Sequence, residues 1–191
     1  MKHSHWIVAP LLLLTTACLD LKPAPAPPVH WLDLNPPAVE MAPTGEAASA
    51  AKRDSVSLGR VSASEAITER LMRRTEAHEV RYDDYSRWTE DPAAVTRRAL
   101  EEALYRQRSL RRASTLRLEV ELVRLEIESD GRPAAVVTLI ALAEDSGGVL
   151  VDRRFEGRAE VTVEGPAGEA AAASAALAAA VSDVADEVVG N

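Results

Sequence analysis

The chain has 191 residues, with 22 Lys and Arg against 30 Asp and Glu, for a formal net charge of −8. That length suits one ordinary domain with appendages, and the acidic balance argues against a nucleic-acid partner, which needs surplus cations facing phosphate. The one cysteine and four histidines, two of them at positions 3 and 5, cannot supply a disulfide, a His/Cys metal cage or a thiol–imidazole pair, so no metal or other cofactor is expected.

Residues 1–17 have the layout of an export signal. Lys2 opens it, and Trp6 to Leu14 form an apolar run shorter than the roughly 20 residues that cross a bilayer. Thr15, Thr16 and Ala17 then place small residues directly before Cys18. This arrangement resembles the lipobox of bacterial lipoproteins, in which a diacylglyceryl group joins the cysteine sulfur and the leader is cut on its N-terminal side. The usual Leu three places before the cysteine is Thr15 here, with Leu14 one place earlier. A plain secreted protein is the competing reading, and a lone thiol in an oxidising compartment argues against it. Cys18 is therefore expected to open the mature chain and to carry palmitate-type acyl chains. Each buried methylene contributes about 0.8 kcal/mol, so two or more chains anchor stably where one does not. In the sorting scheme that such lipoproteins resemble, Asp directly after the cysteine retains the protein at the inner membrane. Leu19 stands there instead, which points to the inner leaflet of the outer membrane, facing the periplasm.

Residues 18–54 read as the lipidated cysteine and a Pro/Ala-rich tether. Leu21 to Pro28 alternates Pro with small residues and is expected as an extended spacer. Within the tether, residues 29–34 form an apolar island whose Trp31, Leu32 and Leu34 are too hydrophobic for a solvated linker. The island is expected to dock on the folded domain as a short strand or clip.

The domain proper is expected over residues 55–191. Val56, Leu58 and Val61 around Gly59 predict a strand with a kink or bulge. Ile67 to Tyr82 suits either a helix or a hairpin, and the hairpin is preferred. Asp91-Pro92 starts a helix, with Asp91 as cap and Pro92 in the first turn, and Val95, Ala99, Leu100, Ala103 and Leu104 recur at helical spacing. Leu116 to Leu122 alternates strictly, and the apolar face then passes to Val123, Leu125 and Ile127, a phase change that predicts a bulge. Turns at Ser129–Arg132 and Asp145–Gly148 divide this strand from two more, giving an antiparallel meander. Glu169 to Val189 is alanine-rich, with Leu177, Val181, Val184 and Val188 along one face, and Ser182, Asp183, Asp186 and Glu187 rule out a membrane span. The expected architecture is α+β: an antiparallel β-sheet with two helices packed on one face, preceded by the signal peptide and the Pro-rich tether.

Taken together, a lipobox cysteine, a Pro-rich spacer, an aromatic-Leu-x-Leu island and a Val-x-Leu-Gly-x-Val strand form one part of a pattern. Tyr82-Asp83-Asp84-Tyr85-Ser86-Arg87-Trp88, then Glu90-Asp91-Pro92 and the helix ending Ala99 to Leu104, form the other. The chain resembles the ABC-type transport auxiliary lipoprotein family, which includes the lipoprotein of the paraquat-inducible intermembrane transport operon. The resemblance runs from Trp31 to the C-terminus and is most specific over Val80 to Leu104. Members work beside inner-membrane ABC transporters and periplasm-spanning MCE-type proteins that move lipids or other hydrophobic compounds. The resemblance implies an accessory subunit acting by protein–protein contact, with no chemistry of its own. Binding a lipid directly, or a purely structural envelope role, are the alternatives, and self-association into a homo-oligomer stays open.

Tyr82, Tyr85, Trp88 and Trp31 are the candidate partner-binding residues. Packing of the first helix competes with that role and is favoured for Trp88. Arg106, Arg108, Arg111 and Arg112 could meet lipid headgroups, but a solvated helix end is the simpler reading. Asp83, Asp84, Glu90 and Asp91 lack a partner histidine, a nucleophile motif or a phosphate-cradling loop, so an enzyme is not expected.

Overall fold

The computed structural model describes residues 26–37, 54–76 and 78–190, so the expected signal peptide, Cys18 and most of the expected tether lie outside the described residues. In chain order the strands are β1 (His30–Leu32), β2 (Ser55–Ala63), β3 (Arg70–Glu76) and β4 (Glu79–Trp88). Helix α1 (Pro92–Glu101) and a π-helical turn (Glu102–Gln107) follow, then β5 (Arg111–Glu128), β6 (Ala134–Asp145), β7 (Gly148–Glu160) and α2 (Pro166–Gly190). The island is a strand, the ambiguous segment is a hairpin, and the helix begins where Asp91 caps it, its side chain accepting from the Ala93 N–H at 3.0 Å.

All seven strands form one sheet in the order β1-β4-β3-β5-β6-β7, with β2 also paired to β5. The meander β5-β6-β7 is antiparallel as expected. The sheet as a whole is mixed, which corrects the expectation of a purely antiparallel one. β1 runs parallel to β4, and both β2 and β3 run parallel to β5. The reason lies in the connections. β2 reaches β5 only after the β3–β4 hairpin and α1, a crossover of the length that parallel pairing requires. β5 is 18 residues long, so its one edge holds β2 over Arg111–Leu122 and β3 at Ile127–Glu128.

Two bulges set the faces. The β2–β5 register shifts between Leu58 and Val61, at Gly59, and the β5–β6 register shifts between Leu122 and Arg124. Through the second shift Leu118, Val120, Leu122, Leu125 and Ile127 all reach one core, facing Ala135, Val137, Leu139, Ala141 and Ala143 of β6. Helix α1 covers that face with Val95 and Leu100, the π-helical turn with Leu104, and α2 with Leu177, Val181, Val184 and Val188. The π-helical turn aims the Tyr105 hydroxyl at the first bulge, where it accepts from the Leu58 N–H (2.9 Å) and reaches the Val56 carbonyl (3.3 Å).

The arginine run after α1 is engaged along its length. Arg108, its side chain 7% exposed, ties the turn to α2 through Asp186 and the Ser182 carbonyl. Arg106 pairs with Glu102 and Arg111 with Asp54, and Arg112 lies 4.5 Å from the Tyr105 ring centre. A solvated helix end therefore fits Arg106, but Arg108 is buried against α2 and Arg111 and Arg112 belong to β5.

Helix α2 lies so close to β7 that position 157 has room only for hydrogen. A β-carbon there would run into the Ala176 carbonyl and come within 2.8 Å of the Ala180 nitrogen. Gly157→Ala should therefore lower the unfolding free energy by about 1–3 kcal/mol, the range for overpacked cores. The midpoint of urea unfolding measures it; an unchanged midpoint would show that the helix can step back freely.

Candidate functional site

The tyrosine-rich segment of β4 does not run straight. Met72 faces Tyr82 and Arg70 faces Arg87, so two steps along β3 span five along β4 and Asp83 to Ser86 bulge out of the ladder. The Asp83 carboxylate organises this bulge by accepting from the backbone N–H groups of Tyr85 (2.8 Å) and Ser86 (3.0 Å). Its other oxygen accepts from Arg73 Nη2 at 2.9 Å. The same guanidinium donates to Glu169 Oε2 at 2.7 Å, in the first turn of α2, where a carboxylate also suits the helix dipole. Arg73 thus clamps β3, the β4 bulge and α2 together.

Burial alone would raise the Asp83 pKa, but the Tyr85 N–H and the Arg73 guanidinium outweigh it and hold the carboxyl below its ordinary 3.8. Burial would likewise lower the Arg73 pKa, and Glu169 and Asp83 hold it above its usual value. The neighbouring carboxylates are also committed. Asp84 pairs with Arg70 and Glu90 with Arg98, while Asp91 caps α1. Among the described residues no three His, Cys, Asp or Glu side chains come together as a metal site.

The candidate aromatics separate into distinct environments. Trp88 is 2% exposed, pairs with Leu32 of β1 and donates its backbone N–H to the Glu69 carbonyl at 2.6 Å; it is part of the core. Tyr82 is half-exposed, its hydroxyl bound to the Ala66 carbonyl (2.8 Å) and its ring beneath Arg70. Tyr85 is 46% exposed and Trp31 64%. The β1–β4 pairing sets His30 beside Ser86 and Trp31 beside Arg87, so Trp31 and Tyr85 share one edge of the sheet while Tyr82 stands apart, across the bulge. Cys18 lies outside the described residues.

Two features escaped the sequence reading. One is an apolar trough of about 510 Å³ beside Trp31, walled by Pro37 and by Ala170, Ala171 and Ala175 of α2. The alanine spacing was visible, but nothing local marked which alanines the island leaves uncovered. The other is a charge ladder on the face opposite the helices. Glu126, 1% exposed, accepts from Arg74 Nε and from Arg124 Nε, each at 2.6 Å, and Glu128 binds Arg124 (2.6 Å) and Arg158 (2.5 Å). Burial opposes ionisation of Glu128, and the two arginines overcome it, so its pKa is lowered. The alternation Arg124-x-Glu126-x-Glu128 was legible as one face; the burial of Glu126 was not.

The family model described as the ABC-type transport auxiliary lipoprotein component matches residues 34–185. No curated protein matches the chain. Among solved structures, a protein from Xanthomonas campestris shares the fold with a TM-score of 0.69 at 18% identity, over 84% of this chain and 95% of that one. An uncharacterized protein aligns with a TM-score of 0.65 at 14% identity, over 85% and 99% of the two chains. A hypothetical protein from Chlamydia trachomatis gives 0.51 at 7% identity, over 73% and 99%. At these identities the likeness is one of fold.

Because the Asp83 pKa is depressed in the folded state, its contribution to stability is present above about pH 3.8 and lost as pH falls through the lower folded value. In urea unfolding followed from neutral pH downward, Asp83→Asn should be less stable than the parent at neutral pH. The two stability curves should converge in acid; curves that stay parallel would contradict the role given to this carboxylate.

Proposed function

The chain belongs to the ABC-type transport auxiliary lipoprotein component family, and from that membership we propose that it is a membrane-anchored accessory subunit of an ABC transport system, acting by protein–protein contact and carrying out no chemistry. The observation that carries this reading is the family match, which runs from Leu34, at the end of the island, through most of α2. Among the described residues no helix is long and apolar enough to cross a membrane. In this reading attachment therefore falls to Cys18, with the Pro-rich tether as spacer. Leu19 after the cysteine favours the inner leaflet of the outer membrane. The transported compounds would be lipids or other hydrophobic molecules, and the partners ABC components or an MCE-type protein spanning the periplasm.

The carboxylates near the β4 bulge support a non-catalytic role, since each is held by a cation or by backbone N–H groups in a way that fixes the fold. Trp31 and Tyr85 are open for contact at the β1–β4 edge, and Tyr82 is open across the bulge. Trp88 serves the core instead.

Cys18→Ser should abolish incorporation of labelled fatty acid and move the protein from the membrane to the soluble fraction. In a strain lacking the native copy, the released variant should fail to restore transport-dependent resistance to hydrophobic compounds. A variant that fractionates with the membrane unchanged, or a soluble form that restores transport in full, would refute the anchored-subunit reading.

A further inference from the structure

We propose that the β1 edge of the domain seats on the lipid surface that holds Cys18, with Trp31 at the headgroup boundary. The proposal rests on the reading of Cys18 as the lipid-bearing residue and adds an orientation to it. The described chain begins at Ala26, eight residues after Cys18, a span of at most about 29 Å when fully extended. The tether therefore keeps the β1 edge, close to where the described chain starts, within reach of the bilayer.

That edge has the chemistry of an interfacial surface. Val29 is 43% exposed, Trp31 64% and, on the neighbouring strand, Tyr85 46%. Trp and Tyr are the residues enriched where hydrocarbon meets headgroups, because their rings are apolar with a polar tip. Behind Trp31 lies the alanine-floored trough of about 510 Å³, so the apolar surface continues from the strand onto α2. Two polar side chains around the trough already have hydrogen-bond partners. Asp33 accepts from the Thr89 hydroxyl at 2.8 Å, and Ser174 Oγ accepts from the Asn35 N–H at 3.0 Å and donates to the Ala170 carbonyl at 2.8 Å. Ser174 can therefore be covered with both hydrogen bonds kept, while the charged Asp33 belongs on the headgroup side of the seat.

The acyl chains supply most of the binding, so the seat's effect is to orient. The strand order places β7 at the far side of the sheet from β1. With β1 on the bilayer, β7 and the exposed Val149 and Leu150 at its start face away from the membrane.

The test uses the full chain, made with its leader in a bacterium that processes lipoproteins. The protein is reconstituted into phosphatidylethanolamine/phosphatidylglycerol vesicles containing phosphatidylcholine brominated near the top of its acyl chains. Intact mass first establishes whether Cys18 is acylated. Leader removal takes Trp6 with it, leaving Trp31 and the buried Trp88 as the fluorophores. The expected result is a blue-shifted, bromine-quenched component that disappears in Trp31→Phe while the Trp88 emission stays. Trp31 is a surface position, so this variant should fold as the parent does. Acylated protein whose emission ignores the bromolipid would overturn the proposal and leave the anchor standing. Protection of Trp31 only by a second copy, or only by an added protein partner, would overturn it too. Unmodified Cys18 would overturn the anchor and this proposal together.

Discussion

The bulge at Val123 keeps two incompatible chemistries on opposite faces of one sheet. Before it, Leu118, Val120 and Leu122 point at the helices; after it, Leu125 and Ile127 do. A strand without the extra residue would carry Leu125 and Ile127 to the charged face and turn Glu126 into the core, because a one-residue slip exchanges every side chain between faces. A carboxylate there would sit among the apolar side chains of β6 and α2, whereas on its actual side it is gripped by Arg74 and Arg124. Leaving a buried charge without its partner costs several kcal/mol, so the fold cannot do without the bulge. Because β5 pairs with β6 on both sides of this point and with β3 beyond it, the bulge sets which face each half of β5 turns to its neighbours.

A second tie depends on that register. Arg73 sits on β3 at the level of Ile127, from where it reaches both the β4 bulge and the first turn of α2. The bulge in turn sets Trp88 in the core beside Leu32 and leaves Tyr85 outside. The island's short strand can then add to the sheet at β4, burying Leu32 and Leu34 while Trp31 stays in the open. The exposed aromatic edge is thus a product of the core: the same ion triad that stabilises the bulge decides which aromatic side chains are left for contact.

Much of this was legible in the residues, and for local reasons. The helix cap at Asp91-Pro92, the adjacent apolar pair at Leu122-Val123, the turns at Ser129 and Asp145 and the apolar stripe of α2 are written in a few consecutive positions. The island was legible because three large apolar residues interrupt a proline-rich stretch. Strand direction was not. Whether β2 lies parallel to β5 depends on the path of the whole β3–β4–α1 stretch between them, and no short pattern in either strand records it. The roles of the aromatics were half legible. Packing was favoured for Trp88, which is buried, but separating Tyr85 from Tyr82 required the bulge between them, which rests on Arg73 of the preceding strand and Glu169 of the last helix. The trough beside Trp31 was hidden for the same reason, since it lies between elements far apart in the chain.

In the proposed function a lipid-anchored α+β domain works by touching a transport machine. Crosslinking mass spectrometry of the full chain in the native envelope tests it most directly. The account predicts crosslinks from this chain to an ABC transporter subunit or to its periplasm-spanning partner, lost when the partner is deleted. Crosslinks confined to copies of this chain or to unrelated envelope proteins, with the transporter present in the same sample, would contradict it.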